Sequence, residues 1–483
     1  MSVSNGREVV TTDAKGRYEL SVDENTNVFV TQPAGYQVPV DEDNIAQFSY
    51  VHLPTGSPDL KYGGIEPTGE LPDAVNFPMA RSQQTKVPQQ NCIIGGDVQT
   101  YTRQEVEYAR TGAFTDLAQR DDYAGCGALF LGDIVGDDLS LYDQTRGLTS
   151  MVNGPVRMLP GNHDLDYDAS SEHRFDTYRS QFGADYYSYD VGNMHVVALD
   201  SVQYAAGADY YGGLGEDQLE WLRQDIATVP KQKTVVLAAH IPLVDYVDQA
   251  ESTHQVQETK EVHEIVAGHE AIALGGHSHI TAGAISGDWY SGRLGEAGVP
   301  TALQRDGARP GVLTLQSRPD GRSERFTVTG GDESTQMNVG VNTPRYREWF
   351  EAHREADGGA PELAEPNRVS SEDLAEGTYL TANVFAGSTG SGVTIAVDGG
   401  EAKEATRTQP MTGEARRVGA LWSDPVAVQE QLVHGGSVAD SSMHLWRLQL
   451  PTDLAAGEHT AEVTSTDRYG NTSTETIDFT VTD

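Results

Sequence analysis

Between Val87 and about Thr329 short apolar runs alternate with longer stretches that repeat at helical spacing. Cys92–Gly96, Ala128–Leu131, Val156–Leu159, His195–Leu199 and Thr234–Ala239 are short and apolar, the mark of buried strands, whereas Arg103–Arg120 places its apolar residues three and four apart. This pattern predicts an α/β domain with polar residues at the ends of its strands, where such folds put chemistry. The flanks read differently. In residues 1–85, Arg7–Thr12 and Arg17–Val22 alternate around the turn signal Asp13-Ala14-Lys15-Gly16, and Val28–Thr31 follows before Pro33-Ala34-Gly35. These predict a small β-sandwich, followed by a Pro- and Gly-rich linker from Pro54 to Pro88. In residues 330–483, Tyr379–Phe385, Val393–Val397, His444–Leu450, His459–Thr464 and Thr476–Val481 alternate between turns, and Asp467–Asn471 reads as a hairpin turn. An immunoglobulin-like sandwich is expected there, with a helical piece near Tyr346–Arg354. The domains predicted are thus 1–85 with the linker, 86–329 and 330–483. No periodic repeat crosses the chain.

Composition narrows the function classes. The chain has 483 residues, with 33 basic against 72 acidic side chains and a net charge of −39. Such a field repels phosphates unless something local reverses it, which argues against a nucleic-acid surface held by backbone contacts and means that any phosphate chemistry needs metal ions. No run approaches the ~18 apolar residues of a membrane-spanning helix, and Met1 to Arg7 shows no charged-then-apolar leader. Two cysteines, Cys92 and Cys126, exclude a disulfide framework and a cysteine-built zinc knuckle; they read equally as one bridge or as a free buried pair. Terminal β domains and the acidic balance point to an extracytoplasmic, secreted or cell-surface location.

Five short segments of the middle domain carry the candidate chemistry: Gly96-Asp97-Val98-Gln99, Gly132-Asp133-Ile134-Val135-Gly136-Asp137, Gly161-Asn162-His163-Asp164, Ala239-His240 and Gly275-Gly276-His277-Ser278-His279. Each follows an apolar run and carries a carboxylate, amide or imidazole, and most have a glycine alongside that permits a tight turn. A single Asp after a strand is an ordinary turn or cap residue; five such segments in one domain are not. Elsewhere the bland readings hold. His195 reads as a core histidine, His254, His263 and His269 as solvated, and Asp200 as a cap. Asp137 reads equally as a turn residue or as a partner behind the ligands. Tyr101, Tyr167, Tyr246, Trp289 and Tyr290 flank the segments and read equally as pocket wall or packing.

The series resembles the calcineurin-like metallophosphoesterase family, whose pattern runs D-x-H, G-D-x-x-D, G-N-H-D/E, H and G-H-x-H, over Asn91 to about Trp289. The N-terminal region resembles the transthyretin-like regulatory sandwich, and the three-part arrangement resembles one bacterial subgroup of the family. The resemblance implies a two-sheet αββα sandwich with a dinuclear metal centre at the strand ends. It assigns Asp97, Gln99, Asp133 and His279 to one ion and Asp133, Asn162, His240 and His277 to the other, with Asp133 bridging. Two cations a few ångströms apart need an anionic bridge, and imidazoles with carboxylates suit Zn, Fe or Mn. His163 is implied to face the scissile phosphate, with Asp164 orienting it. Two positions depart from the pattern: Gln99 stands where most members have His, and Gly136 stands where the second motif has its non-bridging Asp, with Asp137 one residue later. The activity implied is hydrolysis of a phosphate mono- or diester by metal-bound hydroxide. The alternative is a surface glycan-binding protein with a decayed phosphoesterase domain. A nuclease of the same fold is disfavoured by the charge. The partner expected is a phosphate-ester substrate, with a cell-surface glycan or lipid as a further ligand and no nucleic acid; the sequence carries no sign of oligomeric state.

Overall fold

The computed structural model describes residues 1–205, 209–245, 253–275, 283–295, 297–319, 321–356, 358–409 and 416–483. The chain forms two compact units, residues 1–285 with 312–325 and residues 286–311 with 326–483.

The first unit is built on two mixed sheets. In one, Gln90–Gly95, Ala128–Phe130 and Val156–Met158 run parallel, Gly311–Arg318 pairs antiparallel with Gln90–Gly95, and Gly321–Val328 lies beyond it. In the other, Met194–Leu199, Thr234–Ala239 and Glu270–Gly275 run parallel, and Tyr187–Val191 is antiparallel at the edge. The apolar runs that predict strands are these strands, to within a residue or two. They are buried throughout because both faces of each sheet are covered, which is why they read as continuous rather than alternating. Leu129, Leu131 and Leu315 of the first sheet share one core with Val197, Leu199, Val236 and Leu274 of the second. Arg103–Ala118 is helical as expected but is interrupted at Arg110–Phe114, where Gly112 leaves helical geometry (φ −86°, ψ −110°).

The N-terminal β structure is a four-stranded antiparallel sheet of Ser2–Ser4, Val9–Thr11, Thr26–Thr31 and Ser49–His52. Val3, Val28, Phe29 and Val30 join the same core as the α/β sheets, and Phe29 meets Trp221 edge-on at 5.7 Å. Arg17–Val22 is not a strand, contrary to expectation. Its alternation is real, since Tyr18, Leu20 and Val22 pack on the core, but it reports that one-sided burial alone: the segment joins no sheet, and the Val9 N–H on the sheet's edge strand donates to Gln224 Oε1 instead.

The second unit contains a two-sheet β-sandwich. One sheet orders Met337–Asn342, Tyr379–Val384, Leu445–Gln449 and Thr406–Arg407; the other orders Arg368–Ser370, Thr472–Thr482, Gly457–Thr466, Gly392–Val397 and Lys403–Glu404. Leu380 and Trp446 from one face Ile395, Val463 and Phe479 from the other in a single core. The helices Pro344–His353 and Pro425–His434 bury Tyr346, Phe350, Val428 and Leu432 in a cluster of their own. Among the described residues, no helix is long and apolar enough to cross a membrane.

Candidate metal centre

Parallel strands deliver their following loops to one edge, and four of the five candidate segments meet there. Asp97 and Gln99 follow Gln90–Gly95, Asp133 follows Ala128–Phe130, Asn162–Asp164 follows Val156–Met158, and His240 follows Thr234–Ala239. Glu270–Gly275 ends in register with Ala239. His277 and His279 lie beyond it, outside the described residues, as does Tyr246.

The loops are locked by backbone. The Gln99 N–H donates to the Asp133 carbonyl at 2.8 Å, and the Gly136 N–H to the Thr100 carbonyl at 2.9 Å. Gln99 (φ +40°) and Asp133 (φ +48°) both sit in the left-handed region, a conformation that costs energy in non-glycine residues and clusters at functional sites. Gly161 is required by close approach: a Cβ there would lie 2.1 Å from Asp133 Oδ1 and 2.4 Å from its backbone nitrogen.

One oxygen each of Asp97 and Asp133 and a ring nitrogen of His240 all lie within 4.8 Å of one another, and all three residues are buried. His240 Nδ1 is 2.9 Å from the Leu131 carbonyl, which can only accept, so that nitrogen carries the proton. Its other nitrogen, Nε2, lies 3.1 Å from Asn162 Oδ1 and 3.3 Å from Asp133 Oδ2. Lone pairs converging in this way repel unless a proton or a cation lies between them. Burial alone lowers the His240 pKa, but the Asp133 and Asp97 carboxylates outweigh it and push it up to about 10. The donor set of imidazole, carboxylates and amide fits a divalent transition-metal ion. The Gln99 side chain reaches the same place, with Nε2 3.5 Å from Asp133 Oδ2; a half-turn of the amide, which moves no heavy-atom position, presents Oε1 there instead.

His163 borders the cluster. Its N–H donates to Asp133 Oδ1 at 2.9 Å, and its Nε2 lies 4.0 Å from Asp133 Oδ2. Burial lowers its pKa, but the hydrogen bond to Asp137 and the charge of Asp133 push it up to about 9. The implied role of Asp164 needs correction here. Asp164 does not reach the His163 ring; its carboxylate accepts from the N–H groups of Gly161 (2.9 Å) and Ile134 (3.1 Å) and from the Tyr142 hydroxyl (2.9 Å). It ties two ligand-bearing loops together, while burial and the Asp133 charge push its pKa up to about 7. Asp137 is the residue that holds His163, with Oδ1 2.7 Å from Nδ1. It does so from a left-handed backbone (φ +70°), so the carboxylate one position late still reaches the ring. Tyr142 carries no sequence signal that would have singled it out.

The remaining candidates fall into place. Asp200 accepts from the Val202 N–H at 3.0 Å, as a cap does, and also pairs with Arg174. His195 is buried between Asp190 (2.9 Å) and Asp225 (2.8 Å). His254 and His263 are exposed and His269 is half-buried. Tyr167 donates to the Asn162 carbonyl at 2.8 Å, beneath the site, and Tyr101 stands edge-on to His163. Trp289 and Tyr290 belong to the second unit. Cys92 and Cys126 are bridged, with Cα atoms 5.1 Å apart, which decides between the two readings of the pair.

Comparison with known proteins returns three matches to family descriptions: residues 1–61 to the N terminal of calcineurin-like phosphoesterase, 93–280 to calcineurin-like phosphoesterase, and 279–472 to the C terminal of calcineurin-like phosphoesterase. No curated protein matches. Among solved structures, a purple acid phosphatase isolated from yellow lupin (Lupinus luteus) seeds is similar at 14% identity with a TM-score of 0.34, covering 50% of this chain and 52% of that one. The chain thus spans about half the length of that phosphatase.

Proposed function

The chain belongs to the calcineurin-like phosphoesterase family, and from that premise we propose that it is a metal-dependent phosphoric ester hydrolase with a dinuclear centre. The observation that carries this reading is the convergence of Asp97, Asp133 and His240, with Nε2 of His240 also within 3.1 Å of Asn162 Oδ1. One ion would be held by Asp97, Gln99, Asp133 and His279, the other by Asp133, Asn162, His240 and His277, with Asp133 shared. When bound, the ions supply the charge that clamps a phosphate and acidifies a water. The chain's own residues supply the rest. Asp164 fixes the loops that carry Asp133 and Asn162. Asp137 holds Nδ1 of His163, which leaves Nε2 as the nitrogen that delivers a proton to the leaving oxygen.

The test is reconstitution of chelator-treated protein with Mn, Fe or Zn, followed by elemental analysis and turnover of bis-aryl and mono-aryl phosphates. About two ions per chain with metal-dependent release of the aryl alcohol is the expected result. Fewer than about one ion per chain overturns the dinuclear centre, and full loading without hydrolysis overturns the enzyme. An extracytoplasmic setting is part of the proposal: the Cys92–Cys126 bridge supports it, since such bonds persist in oxidising compartments.

A further inference from the structure

The two positions that depart from the family pattern at the site, Gln99 and Gly136, both meet the same residue, Tyr101. Gly136 replaces the carboxylate of the second motif, and the space is taken by Tyr101: a Cβ on Gly136 would lie 2.5 Å from Cε1 and Cζ of the Tyr101 ring and 2.6 Å from Cδ1. Gly136 has no left-handed φ, so its lack of a side chain answers to that ring and not to a strained turn. The Tyr101 hydroxyl lies 3.4 Å from Nε2 of Gln99, the amide that stands for the usual imidazole. The ring meets the His163 ring edge-on, with centroids 6.0 Å apart at 74°.

Packing alone does not account for this tyrosine. Tyr167, close by, is tied to a backbone carbonyl at 2.8 Å and is largely covered, whereas Tyr101 remains 37% exposed with only a long hydroxyl contact. The helix that follows needs nothing from the ring, because Thr102 and Glu105 cap it reciprocally. What the ring provides is a neutral, flat, half-exposed surface beside the imidazole that faces the leaving group.

We propose that Tyr101 is a specificity-determining residue that receives the leaving group, and that the substrates are phosphate esters whose leaving group carries an aromatic ring. Gly136 is the positioning residue that lets the tyrosine lie there. The inference rests on the phosphoesterase reading for the place of the phosphate. Stacking on an exposed ring is a modest but selective contribution, about fivefold in affinity for one aromatic pair.

The experiment uses the metal-loaded full chain and two probes that cannot be hydrolysed, phenylphosphonate and methylphosphonate, with dissociation constants measured by calorimetry beside kcat and KM on phenyl phosphate. Tyr101→Ala is expected to weaken phenylphosphonate about fivefold and leave methylphosphonate unchanged, while Tyr101→Phe keeps the wild-type preference. Gly136→Ala should reproduce Tyr101→Ala by displacing the ring, and should change nothing further when added to it. Equal losses for both probes, loss of the preference in Tyr101→Phe, or additive effects of Gly136→Ala and Tyr101→Ala would overturn the proposal. Tyr101→Leu provides the same comparison if the alanine variant does not fold. Failure of the wild type to turn over any phosphate ester would count against the enzyme reading instead, and the phosphonate preference would still decide the role of Tyr101.

Discussion

His163 is gripped at both its backbone and its ring, by Asp133 Oδ1 and Asp137 Oδ1 respectively, so its removal should separate chemistry from metal binding. His163→Ala should lose about 10²–10⁴-fold in kcat with metal content unchanged, and the loss should shrink for esters with very acidic leaving groups. Asp137→Asn, which keeps the shape but weakens the grip on the ring, should cost about 10-fold or more. Asp133→Ala should lose metal and activity together. Elemental analysis beside steady-state kinetics checks all three; loss of metal in His163→Ala would sink the division of roles. The candidate ligands were singled out in the sequence because each sits in a short segment after an apolar run, most of these with a glycine alongside. The partnership of His163 with Asp137 was only half legible: Asp137 read equally as a turn residue, and its reach to the ring depends on a left-handed φ that its place in the segment does not announce. By position alone, adjacent Asp164 was the natural choice, and the fold spends it on two backbone N–H groups and Tyr142 instead.

Among the elements, the strands were plain in the apolar runs and the hairpin at Asp467–Asn471 in its turn residues, whereas Arg17–Val22 shows that alternation reports one-sided burial and not pairing. Two links between elements lead to measurements. The Cys92–Cys126 bridge joins the Gln90–Gly95 strand to the turn before Ala128–Phe130, closing a separation of 34 residues just ahead of the loops that carry Asp97 and Asp133. By loop entropy it is worth about 3–4 kcal/mol. Reductant, or paired Cys→Ser replacement, should therefore lower the unfolding midpoint, and an unchanged midpoint would mean that the bridge is idle. The second link is His195, which joins the Met194–Leu199 strand to Asp225 on the Glu216–Thr228 helix. Burial alone lowers its pKa, but Asp225 and Asp190 outweigh it and push it up to about 9. A folded-state value above the unfolded one of about 6.5 stabilises fully below that pH, and the gain fades as pH rises through about 9. Thermal unfolding from pH 6 to 10 should show a decline that His195→Gln lacks; parallel curves for the two proteins would reject this.

For the whole molecule, the family matches fall in three consecutive stretches of sequence, and in space the chain forms two compact units whose boundary it crosses more than once. The reason is non-local pairing: Leu313 lies beside Ile94 and Leu315 beside Cys92, over two hundred residues apart in sequence, and no local pattern encodes that register. The net charge of −39 was plain from the outset, and it carries a consequence for stability. A bound cation offsets part of the self-repulsion and adds about 2.7 kcal/mol when free metal exceeds its dissociation constant a hundredfold. Adding a chelator to loaded protein should lower the unfolding midpoint by several degrees, and no shift would mean that the metal is not held by folded structure.

The hydrogen bond from His240 to the Leu131 carbonyl crosses from one sheet to the other, and the candidate ligands are divided between those same sheets. The separation of the ligands therefore tracks the separation of the sheets, as the jaws of a caliper track its arms. Leu129 and Val197 lie in the core that the two sheets share and are not themselves candidate ligands, yet trimming either to alanine should slacken that gauge and weaken metal retention against chelator. On this account metal affinity should follow the sheet-to-sheet spacing as well as the side chains that grip the ion.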